Sequence, residues 1–195
     1  MKGFITRRDQ KRGRFSLEDK KKELYDKFVA EIRGNFYVPS YQRGYRWGTD
    51  EVTRLLEDIS ASTSKFYCLQ PVVVMKNKER YELIDGQQRL TTIYLIYKYM
   101  HMMGGPLIPE PQFSILYETR KETSEQFLKN DIDLSLREDN IDYWFMCQAY
   151  DAIDVWFKKK GNVSSFLEVA SAFEQKVSFL YNINIQDMVV PQERG

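Results

Sequence analysis

Asp85, Gly86, Gln87, Gln88 and Arg89 follow one another without a break, so a carboxylate, a glycine, two amides and a guanidinium share one short stretch of chain. These types suit an oxyanion ligand. Arg grips phosphate in a bidentate fork, Gly lets backbone approach a ligand closely, and amides donate and accept, so they orient a water or read an edge. Asp85 could hold a metal ion or a water, or cap a helix. A second cluster, "VPSYQRGYRW" from Val38 to Trp47, sets Tyr41, Tyr45 and Trp47 among Gln42, Arg43 and Arg46, with Pro39 restricting the backbone. Aromatics interleaved with arginines stack bases and clasp phosphates. Equally, the aromatics could pin the loop to a core while the arginines are solvated.

The first cluster needs a sharp corner to hold it. "RYELI" reads as a strand, and Asp85-Gly86 alone would signal a hairpin. Beyond Arg89, however, Leu90, Ile93, Tyr94 and Tyr97 fall at helical spacing, which outweighs the β propensity of Thr91, Thr92 and Ile93. The stretch is therefore predicted to run strand, tight turn, helix. The first N–H groups of such a helix are unpaired at the positive end of its dipole, a ready anion site. A capped structural turn is the alternative. The glycine pattern of a Walker loop is absent, so spacing alone identifies no nucleotide.

Around these clusters, "SLEDKKKELYDKFVAEIR" is predicted helical, capped by Ser16, with Leu24, Phe28 and Ile32 stepping by four. "FYV" leads as a strand into the aromatic loop, and Thr49 is expected to cap a helix with Val52, Leu55, Leu56 and Ile59 on one face. "KFYCLQPVVVMKN" and "FSILYE" read as strands, Pro71 implying a bend or an edge position. "TSEQFLKN", "IDYWFMCQAYDAIDVWFKKK" and "SSFLEVASAFEQ" read as helices, the aromatic stripe Tyr143, Trp144, Tyr150, Trp156 and Phe157 as helix core, and "VSFLYNINI" as a last strand. "DIDLSLREDNID" has Leu136 in place of a calcium loop's central glycine and reads as a solvated polar loop.

Composition bounds the rest. The 195 residues are 43% apolar and 14% aromatic, enough for a real core. With 29 Lys+Arg against 28 Asp+Glu, net charge is +1, so nucleic-acid binding would need a local patch. No apolar run approaches the ~20 residues that span a bilayer. Cys68 and Cys147 form no CxxC, which suits a reducing, cytoplasmic setting and argues against a zinc site. His101 is the single histidine and reads as a helix end, which disfavours a Ser-His or Cys-His triad.

The two boxes, "VPSYQRGYRW" and "ELIDGQQRLTT", lie about forty residues apart and together resemble the N-terminal domain family of GmrSD-type restriction endonucleases. Those domains are similar to the ParB/sulfiredoxin fold. "LYETRKETSEQFL" and "IDYWFMCQAYDAIDVWF" resemble its longer members. The resemblance implies an α+β fold: a small mixed sheet of ParB/sulfiredoxin type followed by a helical lobe. The organisation expected is a basic tail over 1–15, the nucleotide-binding domain over 16–118 and a mainly helical lobe over 119–195. The chain stops after "QDMVVPQERG" without a closing element, which suggests a piece of a longer protein.

Carried over residue by residue, the resemblance implies catalytic roles for Asp85, Gln87, Gln88 and Arg89. Tyr41, Gln42, Arg43, Gly86, Arg89 and Thr91 would bind a nucleoside triphosphate with Mg²⁺. Pro39, Tyr41, Arg43 and Arg46 would meet DNA, including modified DNA. The function implied is a nucleotide-hydrolysing, DNA-sensing regulatory module of a modification-dependent, anti-phage restriction system. Its nuclease would lie on a further C-terminal part or a partner chain, and an oligomer is left open. The alternatives are a non-catalytic DNA-binding or adaptor domain using the same basic-aromatic cleft, and nuclease activity within the fold itself. One histidine and no cluster of metal ligands argue against cleavage by this chain alone.

Overall fold

The computed structural model describes residues 23–61, 69–120, 128, 132–175 and 177–183. The basic tail, the start of the first predicted helix, Cys68 and nearly all of "TSEQFLKN" lie outside these residues.

A mixed sheet of six strands has the order β1-β6-β3-β4-β2-β5. Its strands are β1 (Glu23–Phe28), β2 (Gly34–Val38), β3 (Val72–Asn77), β4 (Arg80–Asp85), β5 (Phe113–Tyr117) and β6 (Val177–Ile183). The helices are α1 (Thr49–Ala61), α2 (Gln87–Gly104), α3 (Ile141–Lys160) and α4 (Val163–Glu174). The α+β class read from the sequence therefore holds. Strand β2 runs parallel to both β4 and β5, so Val38, Asp85 and Tyr117 finish at one edge of the sheet. Strand β3 is antiparallel to β4, and its first residues enter beside the end of β4, with Val73 opposite Asp85. Pro71 sits just before this interior strand, where its missing N–H removes no ladder bond. Strand β6, late in the chain, pairs with both β1 and β3.

Three sequence expectations are corrected. Residues 23–31 form β1 and a 3-10 turn, not a helix. The i, i+4 spacing of Leu24 and Phe28 is also an even spacing, and pairing with β6 decided between the periods. Gly48, not Thr49, precedes α1, and its N–H donates to Glu51 Oε2 at 3.0 Å. The polar segment before α3 contains a 3-10 turn, Leu134–Glu138, capped by Asp133, whose carboxylate accepts the Ser135 N–H at 2.9 Å.

Helix α2 is buried on every side. Besides the expected Leu90, Ile93, Tyr94 and Tyr97, it buries Thr91, Thr92, Leu95, Ile96, Tyr99 and Met100. A helix apolar around its circumference needs cover all round, and the α3 aromatics supply part of it. Tyr99 stacks on Phe157 with ring centroids 5.2 Å apart and meets Tyr150 edge-on at 5.6 Å. Of the aromatic stripe on α3, Tyr143, Tyr150, Trp156 and Phe157 are core, but Trp144 is 39% exposed. No helix among the described residues is long and apolar enough to cross a membrane.

Candidate functional site

Asp85 ends β4, Gly86 turns the chain with φ +86°, and Gln87 starts α2. Only glycine suits this turn. A Cβ there would meet an unfavourable left-handed backbone and lie 3.0 Å from Val72 Cα and 3.2 Å from the Pro71 carbonyl oxygen. No side chain caps α2, and its first turn carries no acid. Asp85, one of whose sequence readings was a cap, is exposed and does not cap the helix.

The glutamines face the aromatic-basic loop and hold it. Gln88 Nε2 donates to the Gly44 carbonyl at 2.9 Å, while its Oε1 accepts the Arg46 and Trp47 N–H groups at 2.7 and 3.3 Å. Gln87 Nε2 donates to the Arg43 carbonyl at 2.7 Å. Gln42 reaches the other way, donating to the Leu83 and Ile84 carbonyls at 2.5 and 3.2 Å as β4 ends. Two amides thus crowd the corner because a ten-residue loop hangs on them. One atom is left over. Gln87 is 7% exposed, and its Oε1 is the single buried side-chain polar atom without a hydrogen-bond partner among the described residues.

Arg89 points to the start of β3. Its guanidinium donates to the Gln70 and Pro71 carbonyls, both at 3.0 Å, and to Gln70 Oε1 at 2.6 Å. Burial lowers its pKa, and the neighbouring Asp85 carboxylate opposes that shift. Thr91 is fully buried, its hydroxyl 2.8 Å from that of Tyr117. Tyr45 is buried under the loop against Thr92 at 2.8 Å, and burial raises its pKa. Pro39 is buried, Arg43 is exposed, and Tyr41 is 69% exposed. Arg46 is ion-paired with Asp142 and lies over the Phe145 ring, 5.5 Å from its centroid.

The loop therefore divides by face. Tyr45 and the 44–47 backbone hold it down, while the Tyr41 and Arg43 side chains stand in solvent. A cavity of about 460 Å³ lies elsewhere, toward the beginnings of β2, β4 and β5, lined by Asn35, Arg80 and Phe113 with Tyr94 and Lys98 of α2. The family model of the GmrSD restriction endonuclease N-terminal domain matches residues 23–193. This chain belongs to that family.

Membership gives the GmrSD N-terminal domain described here a role in a restriction endonuclease system. No curated protein matches the chain. Sequence reasoning brought the two boxes of this GmrSD domain together but missed three of their supports. Gln70 anchors Arg89, Tyr117 closes over Thr91, and Asp142 pairs with Arg46 from 96 positions away. No spacing rule reaches that far. The only signal was the residue type, an acid in the first turn of a strongly apolar helix.

Proposed function

We propose that this domain binds and hydrolyses a nucleoside triphosphate and thereby regulates a restriction nuclease in response to DNA. The observation that carries the reading is the pairing of an uncapped helix start with the partnerless Gln87 Oε1. The free N–H groups of the first turn favour a phosphate. A buried amide oxygen instead needs a donor, and a water beside that phosphate is such a donor. A glutamine that orients an attacking water is an established device of phosphoryl transfer.

Asp85, exposed at the corner, is suited to polarise that water or to share a cation. A magnesium ion would neutralise charge on the phosphates; such ions are commonly held by the phosphates, waters and one or two carboxylates. Asp85 at this corner suits that pattern. Arg89 keeps part of its donor fork uncommitted while bracing β3, so it would serve phosphate and fold together. Nuclease chemistry would come from another part of the protein or a partner chain. Kinship with ParB/sulfiredoxin domains and a role in cytoplasmic anti-phage defence belong to the same reading.

The test is phosphate release with each nucleoside triphosphate, with and without modified DNA, for wild type, Asp85→Ala and Gln87→Leu. Nucleotide-dependent release that both substitutions abolish supports the reading, and no release under any condition refutes it. The solvent-facing Tyr41 beside Arg43 favours a second reading, a DNA-binding or adaptor domain without hydrolysis. It predicts salt-sensitive DNA binding that Tyr41→Ala weakens and that no nucleotide alters.

A further inference from the structure

We propose that Asp142, at the start of α3, is a positioning residue for the corner: it sets the 44–47 stretch of the loop and, through it, both glutamines of α2. The proposal rests on the corner being the ligand site.

Asp142 is 2% exposed, and its carboxylate accepts a hydrogen bond from the Arg46 guanidinium. The same guanidinium nitrogen, Nη1, also donates to the Tyr45 carbonyl, so one donor group ties the carboxylate to the loop backbone. Gly44 lies directly against the acid: a Cβ at position 44 would sit 2.2 Å from Asp142 Oδ1 and 2.6 Å from the carboxyl carbon. The opposite side of this stretch carries the three Gln88 bonds, to Gly44, Arg46 and Trp47. Residues 44–47 are thus clamped between the first turns of two helices. The next carbonyl back along the chain, that of Arg43, holds Gln87, whose oxygen is unpartnered.

Stability alone does not account for this pair. Desolvation consumes much of a buried ion pair's attraction, and well-packed apolar residues often serve as well. The planar Nη1 group adds direction, because its two in-plane N–H bonds fix where both acceptors stand. A shift of Asp142 would therefore move Gly44 and Arg46 and, with them, the acceptor that aims Gln87.

Hydrogen exchange on the full chain tests this. In Asp142→Asn the amides at positions 46 and 47 should exchange about tenfold faster or more, as expected on losing a buried charge-assisted bond. Amides of β3 and of the second half of α3 should change by less than about twofold. An equal rise throughout the molecule, or no change at 46 and 47, would overturn the proposal. If Asp142→Asn does not fold, Arg46→Lys keeps the charge, loses the fixed planar donor pair and must give the same local pattern. Nucleotide titration separates the two readings. Weaker binding by Asp142→Asn supports the coupling, and unchanged affinity despite loosened amides overturns it. Local loosening with no binding even by wild type removes the nucleotide reading and leaves Asp142 as a loop-positioning residue.

Discussion

Asn140 closes the start of α3 with its own side chain. Its Oδ1 accepts the N–H groups of Asp142 and Tyr143 at 2.9 and 3.0 Å, and Asp142 adds an acid to the first turn. At the start of α2 stands Gly86, with no side chain to offer, followed by glutamines whose amides turn away to bind the loop. The same backbone problem is solved by a side chain at one helix and by none at the other. The difference follows from what each end touches. Gly86 is pressed against Val72 and Pro71, so a capping side chain has no room there. Asn140 enters α3 from extended backbone, φ −160° and ψ 166°, the geometry from which a cap oxygen reaches the next N–H groups.

The largest effect expected is at Gly86. Gly86 and Gly161 have nearly the same φ, +86° and +85°, but a Cβ at 161 meets nothing within 4 Å. Gly161→Ala should cost roughly 1–2 kcal/mol, the left-handed penalty alone. Gly86→Ala should cost at least about 3 kcal/mol, because overpacking against backbone is added. Urea denaturation of both variants measures this, and equal losses would break the contrast between a packed corner and an open helix end.

Next come the two glutamines. Gln88→Leu strands one carbonyl and two N–H groups of the loop and should lose about 2–4 kcal/mol. Gln87→Leu strands only the Arg43 carbonyl and removes the partnerless oxygen, so its loss should stay below about 1 kcal/mol. Comparable destabilisation would mean that Gln87 is as structural as Gln88, and would weaken the functional reading of its oxygen.

A third effect belongs to the body of α2 rather than its start. Burial raises the pKa of Tyr94 and Tyr97 to about 12. In the unfolded chain they ionise near 10, so between these values the folded protein binds more protons. Stability is therefore full below pH 10 and falls as pH rises towards 12, by about 1.4 kcal/mol per pH unit for each such tyrosine. Denaturant midpoints across this range check the sign, and Tyr94→Phe should flatten the slope.

A modest effect sharpens the comparison most directly. Asn140→Ala should cost about 1 kcal/mol, the usual worth of an N-cap. Calorimetric unfolding reads the loss. No loss would mean that α3 does without its side-chain cap as α2 does.

The sequence by itself determined the elements whose signal is local. Asp85-Gly86 followed by Leu90, Ile93, Tyr94 and Tyr97 specified strand, tight turn and helix, because a turn signal and a helical period are both written within a few residues. The strand before the aromatic loop and the last strand, β6, were legible for the same reason, and the α+β class followed from the family resemblance. Tertiary structure decided the rest. Residues 23–28 became a strand only because β6 lay beside them, and Trp144 faces solvent only because neighbours cover the other side of α3. Above all, the work of each glutamine was set by partners more than forty positions away. An amide's residue type gives its capacity to donate and accept; which groups meet it, and which oxygen is left without one, depends on how the loop, β4 and α3 are brought together.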